Sequence, residues 1–303
     1  MSRLLARITL LAAVVGALGG CKLEQIKYLA TGIETVKLTA NSYMLKGAGG
    51  NVGVLVGDEG VLVVDTQYAP MSDKIFAAIG TMTDKPVRHV VNTHWHHDHT
   101  GGNENFAEAG AVVVAHEKLR TRLMSPQMLK EWNLEFPALP PIALPSKTYT
   151  DKLSLRAFGY EAELVHIPAA HTDGDSIVVF PQANVVHMGD ILATGRFPFI
   201  DRGAGGSVKG VIAAFEHVIS ISNDATKVIP GHGELADRKT LLTYLDMLKQ
   251  SRAAILPLMQ AGKTREEVVA ARPLAELGKV WGKDFVTADM FTQIVFDTEP
   301  PNR

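Results

Sequence analysis

The sequence has a single cysteine, Cys21, so an intrachain disulfide is impossible. It also has little net charge, because 30 basic and 32 acidic residues give a formal charge of -2, which offers no electrostatic basis for binding nucleic acid. The apolar run at residues 8–18 is too short to span a bilayer as a helix, which needs roughly twenty residues. We find no internal repeat and no low-complexity segment. The 303 residues, 46% hydrophobic, are ample for a globular core.

The N-terminal segment is typical of an export signal. Arg3 and Arg7 precede the apolar run, and small residues lead to Cys21. This pattern resembles a bacterial signal peptide ending in a lipobox, which implies cleavage before Cys21 and lipid attachment to its sulfur. Lys22 follows, and the absence of Asp at that position favours the outer membrane. We expect an exported, lipid-anchored periplasmic protein; the alternative is an ordinary secretory signal with a stray cysteine.

After the signal at 1–21, we expect one domain over 22–303, in which strands and helices alternate. Apolar runs flank the turn at 57–60, which indicates a hairpin. A strand is predicted over 36–45, and a helix over 72–82 with Ser72 as its cap. This alternation predicts an α/β arrangement.

Potential metal ligands are dense at residues 94–99, which read His-Trp-His-His-Asp-His. The apolar segment 87–91 before them is typical of a buried strand, and Gly101 and Gly102 after them break regular structure. In an extended backbone His94 and His96 share a face. Imidazole and carboxylate together suit zinc and similar divalent metals. The alternative, a solvated loop rich in histidine, is disfavoured by this density.

The second half of the chain repeats this logic. His171, Asp190 and His232 each follow a predicted β segment, as His94 does. Candidate ligands that recur after several β segments are stronger evidence for a metal site than any single histidine.

These motifs, in this order, resemble the metallo-β-lactamase superfamily over roughly residues 33–297. The resemblance implies a four-layer αββα sandwich with metals at one edge between the sheets. It implies a first metal on His94, His96 and His171. It implies a second metal on Asp98, His99 and His232, with Asp190 bridging the two. Two zinc ions are expected, with manganese or iron as alternatives.

The expected chemistry is hydrolysis. Two close cations can share one water and lower its pKa enough to supply hydroxide for attack on a carbonyl or phosphoryl centre. Asp98 is the expected catalytic residue, since it can ligate and also orient the nucleophile or accept its proton. We expect a small-molecule substrate: an ester, thioester, lactone or β-lactam. The alternatives are a periplasmic β-lactamase and a non-catalytic, metal-stabilised binding lipoprotein.

Departures within the superfamily narrow this interpretation. One β-lactamase subclass has a cysteine at the position that matches Asp190. The single cysteine of this chain is Cys21, so the metal site of that subclass is absent. The pair of His99 and His232 resembles another subclass, which lacks a bridging aspartate. Asp190 is similar to its counterpart in glyoxalase II thioesterases and lactonases. Redox di-iron members carry glutamate where His96 stands, which argues against oxygen chemistry.

Further residues receive supporting roles. Thr172, Asp173 and Asp175 are candidates for fixing the imidazoles. Arg196 either holds a substrate carboxylate or pairs with Asp201. We interpret His116 as a capping or surface residue and expect His97 to point away from the metals. The remaining histidines are interpreted as structural: His89, His166, His187 and His217.

Two segments lie outside the motifs. Prolines at 124–150 favour an extended surface loop, whose Trp132 and Phe136 suggest a flap over a pocket. The alternative is a loop packed on the surface with Trp132 buried. Residues 236–297 are predicted to be helical, with a helix over 238–260 and a capping box at Thr264. They complete the helical layer or form a dimer surface, and we prefer the former.

Overall fold

The computed structural model describes residue 28 and residues 30–299. The predicted signal at 1–21, with Cys21, lies outside these residues. Among the described residues, no helix is both long and apolar enough to cross a membrane.

The strands build two sheets and one hairpin. In chain order they are β1 (Glu34–Lys37), β2 (Ser42–Lys46), β3 (Val52–Val56), β4 (Val61–Val64), β5 (Val87–Val91), β6 (Val112–His116), β7 (Gln127–Leu129), β8 (Leu134–Phe136), β9 (Lys147–Tyr149), β10 (Lys152–Ala157), β11 (Tyr160–Ile167), β12 (Asp175–Phe180), β13 (Val185–His187), β14 (Lys227–Ile229) and β15 (Ala236–Asp237). The single strand predicted over 36–45 is wrong. The chain reverses between β1 and β2, which pair antiparallel, and the amide of Leu38 donates to the carbonyl of Ser42 at 2.9 Å.

The helices cover both sheets. They are α1 (Ser72–Gly80), α2 (His97–Thr100), α3 (Asn103–Glu108), α4 (Glu117–Leu123), α5 (Val208–Ile221), α6 (Arg238–Gln260), α7 (Arg265–Ala270), α8 (Ala275–Trp281) and α9 (Ala288–Thr298). The prediction that Ser72 caps α1 is wrong. A short 3-10 turn, Ala69–Met71, leads directly into the helix, and no side chain caps it. The capping box at Thr264 and Glu267 is confirmed at the start of α7.

The two sheets differ in their strand directions. The first has the order β1-β2-β3-β4-β5-β6-β9, antiparallel up to β4 and parallel from β4 onward. The second has the order β10-β11-β12-β13-β14-β15, antiparallel except for the parallel pair β13 and β14. Strands β7 and β8 form a separate hairpin.

Alternation along the strands produces the layers. In β4, Leu62 faces the second sheet, whereas Val63 packs against α1 and α3, and both are fully buried. The other face of the second sheet packs on α5, α6 and α9, where Leu248 and Phe291 are buried. The four-layer αββα sandwich is confirmed. Leu241 and Leu248 of α6 are buried in this core, so the C-terminal helices complete the outer layer.

Candidate metal centre

The candidate ligands meet at one edge of the sandwich because each follows a strand that ends there. His94 and His96 follow β5, His171 follows β11, Asp190 follows β13, and His232 follows β14. The backbone is extended at His96, and helix α2 begins immediately after it. This change from extended to helical backbone brings the side chains of residues 98 and 99 into the same cluster.

The ligand atoms form two groups. One contains His94, His96, His171 and Asp190, and the other contains Asp98, His99 and His232; within each group, the ligand atoms lie within 4.8 Å of one another. The structure therefore brings all seven predicted positions together.

Asp190 belongs to the first group and also contacts the second. Its Oδ1 is 3.1 Å from Nε2 of His99, and its Oδ2 is 3.4 Å from Nε2 of His232. The same Oδ2 is 3.9 Å from Nε2 of both His94 and His171. One carboxylate thus reaches both groups, which is the geometry that a bridging ligand requires.

The imidazoles of His94 and His171 are oriented by hydrogen bonds at the ring nitrogen that faces away from the cluster. Thr93 Oγ1 donates to Asp65 at 2.7 Å, so it accepts from Nδ1 of His94, 3.0 Å away. His171 donates from Nδ1 to the Phe199 carbonyl at 2.8 Å. These bonds assign a lone pair to Nε2 of each imidazole, facing the cluster.

Carboxylates fix two further imidazoles. Nδ1 of His99 donates to Oδ2 of Asp65 at 2.7 Å, and Nε2 of His96 donates to Oδ2 of Asp201 at 3.2 Å. His96 therefore presents Nδ1 to the cluster, 3.0 Å from Nε2 of His171. Two lone pairs that close together are suited to a shared cation.

Asp65 is a functional residue that the motif analysis missed. It is fully buried at the end of β4 with a φ of 65°, a left-handed conformation that aspartate tolerates better than most residues. Besides His99, its carboxylate accepts from the amide of Thr93 at 2.8 Å and from its hydroxyl. A buried aspartate directly after an apolar strand was the available signal.

The titrating groups of the cluster separate into two kinds. Burial, followed by repulsion from His96, lowers the pKa of His171 to about 4. Burial has the largest effect on His94, and repulsion from His99 adds to it, so the pKa of His94 lies well below its ordinary value. Burial also opposes protonation of His232, but the Asp190 and Asp98 carboxylates outweigh it and raise the pKa to about 9. Some imidazoles are thus held neutral, while others are held protonated by carboxylates.

The carboxylates are held ionised. Burial raises the pKa of Asp190, but His232 and His99 outweigh burial and keep the pKa well below its ordinary value. The pKa of Asp98 is lowered in the same way, with His99 and then His232 outweighing burial. A divalent cation would replace the protons that now balance these charges.

The residues fit a divalent metal. Imidazole nitrogens and carboxylate oxygens are zinc ligands. Among the described residues, Nε2 of His94 is buried with no hydrogen-bond partner, and Oδ1 of Asp190 is buried with only the His99 imidazole beside it. Orphaned polar atoms at the centre of a ligand cluster are explained by a cation.

A cavity of about 200 Å³ opens onto this cluster. His96, Asp98, Asp190 and His232 line one end of it. Much of the rest is aromatic, including Trp132 of the β7–β8 hairpin. The hairpin belongs to the segment 124–150, and the alternative in which Trp132 is buried is wrong, because 36% of the residue is exposed.

The other predicted supporting residues have mixed outcomes. Asp175 accepts from the backbone amides of His171 and Thr172 at 2.6 and 2.8 Å, so it holds the loop, whereas the imidazoles are fixed by the groups described above. Asp173 forms an ion pair with Arg122. The expectation that Thr172 and Asp173 fix imidazoles is therefore wrong.

Arg196 lines the cavity. The alternative that it pairs with Asp201 is wrong, because its Nη1 contacts Oδ2 of Asp284 at 2.6 Å and Asp201 contacts His96. Nε of Arg196 is buried without a hydrogen-bond partner among the described residues.

The histidines outside the two groups have structural contacts. The capping role of His116 is confirmed, because its Nδ1 accepts from the amide of Lys118 at the start of α4. His187 is buried and donates to the Asn51 carbonyl. His97 lines the cavity and packs against Tyr68 and Phe136 instead of joining either ligand group.

Comparison with known proteins agrees with this geometry. A sequence model of the metallo-beta-lactamase superfamily matches residues 45–232. The chain is 27% identical over 200 residues to a metallo-beta-lactamase type 2 of Bacillus cereus, covering 65% of this chain and 72% of that protein. It is 30% identical over 142 residues to the 2,4-dinitroanisole O-demethylase subunit alpha of Nocardioides sp. (strain JS1661), covering 46% of this chain and 40% of that subunit. The chain therefore spans less than half the length of this second relative.

A solved structure shares the fold. The metallo-beta-lactamase from Pontibacter korlensis superposes with a TM-score of 0.58 at 21% sequence identity, covering 72% of this chain and 99% of that one. The family match spans more than half of the chain and contains every residue of the two ligand groups. The chain therefore belongs to the metallo-β-lactamase superfamily, whose members are metal-dependent hydrolases.

Proposed function

We propose that this protein is a dinuclear zinc hydrolase that acts on a small ester, thioester, lactone or β-lactam. The observation that carries the proposal is the position of Asp190, whose two oxygens reach imidazoles of both ligand groups. A structural metal site has no need of seven ligands in two adjoining groups beside an open cavity.

Each ligand group would hold one ion. His94, His96 and His171 would hold the first zinc, and Asp98, His99 and His232 the second, with Asp190 between them. Bound there, two zinc ions would lower the pKa of a shared water and polarise the substrate oxygen. Manganese or iron suits some of the same donors.

Asp98 is the proposed catalytic residue. It lines the cavity, and its Oδ2 lies 3.1 Å from Nε2 of His232. Because the carboxylate is held ionised, an oxygen of Asp98 can accept a proton from the attacking water or orient that water toward the substrate.

The cavity walls would bind and shield the substrate. Apolar side chains exclude water from the reacting end. The guanidinium of Arg196, which lines the cavity, would donate to an anionic or carbonyl oxygen of the substrate.

The direct test is Asp98→Ala in zinc-loaded protein, assayed with nitrophenyl esters, thioesters, lactones and β-lactams. We expect kcat/KM to fall by at least about 100-fold, the usual loss for a positioned acid or base. Asp224→Asn, on a fully exposed side chain, is the matched control. Full activity of Asp98→Ala would refute the proposed role.

A β-lactamase is the narrower version of this function. It is favoured by the similarity to the Bacillus cereus metallo-beta-lactamase type 2 and by the predicted export signal. Zinc-loaded protein would then open penicillins, cephalosporins or carbapenems. Failure on all three, with turnover of another ester or lactone, would leave the broader hydrolase and remove this version.

We also propose that the protein is exported and anchored in the outer membrane through lipid on Cys21. The pattern of residues 1–21 supports this proposal. Labelled palmitate should appear on the wild type and be absent from Cys21→Ala.

The rival to hydrolysis is a metal-stabilised binding lipoprotein, and its signature would be full zinc content without turnover of any substrate.

A further inference from the structure

One side of the cavity is built from aromatic residues, Trp132, Phe136, Phe199 and Phe285, which we call the aromatic wall. Phe285 lies between α8 and α9, beyond the family match at residues 45–232. Trp132 comes from the β7–β8 hairpin. Of these two residues, Phe285 thus lies outside the segment that the family model matches, and Trp132 lies inside it.

The aromatic wall runs without a break from the ligands to the cavity mouth. The ring of Phe199 stacks on that of His96 with centroids 6.1 Å apart. Trp132 lies 4.5 Å from Phe199 and 5.6 Å from Phe285, the latter edge to face. A group extending from the reacting centre along this side would contact apolar rings throughout.

The charge of Arg196, which lies next to Phe285, is balanced by an ion pair. The guanidinium of Arg196 lies 5.4 Å from the centre of the Phe285 ring and is paired with Asp284. The cavity, at about 200 Å³, is smaller than the roughly 300–1,000 Å³ of sites that enclose drug-sized ligands. The wall therefore suits one compact, uncharged group.

The hairpin that carries Trp132 is held in place. Glu131 contacts Nη2 of Arg202 at 2.7 Å, and Arg202 also contacts Asp297 of α9. The side chain of Glu131 is only 8% exposed. The two sides of the mouth are thus joined, and the wall is preformed.

We propose that the aromatic wall is a specificity site that binds the non-reacting group of the substrate, an aryl or medium-length alkyl group. Trp132 and Phe285 determine this preference. The inference rests on the proposed hydrolase function for the reacting end, because it places that end at the ligand cluster.

Binding of product-like carboxylates tests the wall separately from turnover. Phenylacetate and acetate share the carboxylate and differ in the aryl group, so we compare their Kd values by calorimetry with the zinc-loaded full chain. We expect phenylacetate to bind roughly tenfold more tightly or better, the effect of filling an apolar pocket. Trp132→Ala and Phe285→Ala should each remove most of this difference. Ile221→Ala, at a residue elsewhere that is about as exposed as Phe285, should preserve it.

Turnover provides the second readout. With acetyl and phenylacetyl thioesters of one thiol, water adds to the carbonyl, the carbon–sulfur bond breaks and the thiol leaves with a proton. We expect kcat/KM to favour the phenylacetyl thioester in the wild type and lose that preference in both wall variants. Equal Kd values for the two carboxylates would overturn the specificity site whatever the turnover. Tight, wall-dependent binding of phenylacetate without turnover of any substrate would support the site and contradict the proposed hydrolase.

Discussion

Asp65 directly follows β4, His99 lies in helix α2 beyond the neighbouring strand β5, and Oδ2 of Asp65 lies 2.7 Å from Nδ1 of His99. The same carboxylate oxygen accepts from the hydroxyl of Thr93, which in turn contacts Nδ1 of His94. One buried carboxylate thus orients an imidazole of each ligand group. Asp65 therefore positions one ligand in each group, His99 directly and His94 through Thr93, although it belongs to neither group.

Asp65→Asn should weaken zinc binding by roughly 10–100-fold. The Asp65 carboxylate accepts three hydrogen bonds, from the amide and hydroxyl of Thr93 and from Nδ1 of His99. In asparagine, one of the accepting oxygens is replaced by an NH2 group, which can only donate. The measurement is competition with a chromophoric chelator, and Asp224→Asn is the control. A zinc affinity equal to that of the wild type would show that Asp65 does not support the site.

Gly231→Ala should disturb Asp190. A Cβ at Gly231 would lie 1.9 Å from Oδ1 of that carboxylate, with backbone atoms of residues 189 and 190 also under 3 Å away. We expect the purified variant to lose about half or more of its bound zinc, because the shared ligand is displaced. Gly80→Ala is the matched control, since nothing lies within 4 Å of its Cβ. An unchanged zinc content in Gly231→Ala would argue against a bridging role for Asp190.

Arg196 and Asp284 should have opposite effects on anionic substrates. Arg196→Ala removes a cavity-lining donor, so we expect KM for anionic substrates to rise about tenfold and KM for neutral substrates to change little. Asp284→Asn removes the paired charge and should lower KM for the same anions. Steady-state kinetics with matched anionic and neutral esters would measure both. A KM unchanged by Arg196→Ala for every anion would reject Arg196 as a substrate-binding residue.

Stability should fall in mild acid because of a stacked histidine pair away from the ligands. The rings of His116 and His166 are 3.6 Å apart and nearly parallel. Burial lowers the pKa of each below 6.5, and for His116 the neighbouring His166 adds to this. The unfolded chain therefore binds protons first, so the stability from this pair is complete above pH 6.5 and is lost as pH falls below it.

The corresponding measurement is the free energy of unfolding in urea at pH 7.5 and 5.5. His166→Gln removes one titrating ring and the repulsion between the two. Its unfolding free energy should decline less over this range than that of the wild type. An equal or steeper decline would contradict the role of the stack.

The ligand set was predicted from the resemblance to the metallo-β-lactamase superfamily, and local sequence patterns predicted only where candidate ligands lie along the chain. The six residues from His94 to His99 follow a single strand, and the other ligands each follow one, so the sheet edge could be inferred from strands and motifs. The same resemblance implied the four-layer sandwich, whereas apolar runs such as β4, whose alternate side chains are buried on both faces, predict only an α/β arrangement with buried strands.

The supporting residues could not be predicted in this way. Asp201 lies 105 residues from His96, and Phe285 lies 153 residues from Trp132, so only the folded chain brings these pairs together. The turn between β1 and β2 was missed because residues 36–45 mix apolar and polar side chains without a glycine or proline. The alternative that Arg196 pairs with Asp201 rested on closeness in sequence, whereas its partner Asp284 lies far along the chain.

The most direct test is the zinc content per chain of the purified full-length protein, measured by elemental mass spectrometry before and after zinc reconstitution. We expect about two zinc ions per chain. A value near one would contradict the dinuclear centre and the bridging position of Asp190. Essentially no zinc after reconstitution would contradict the hydrolase itself.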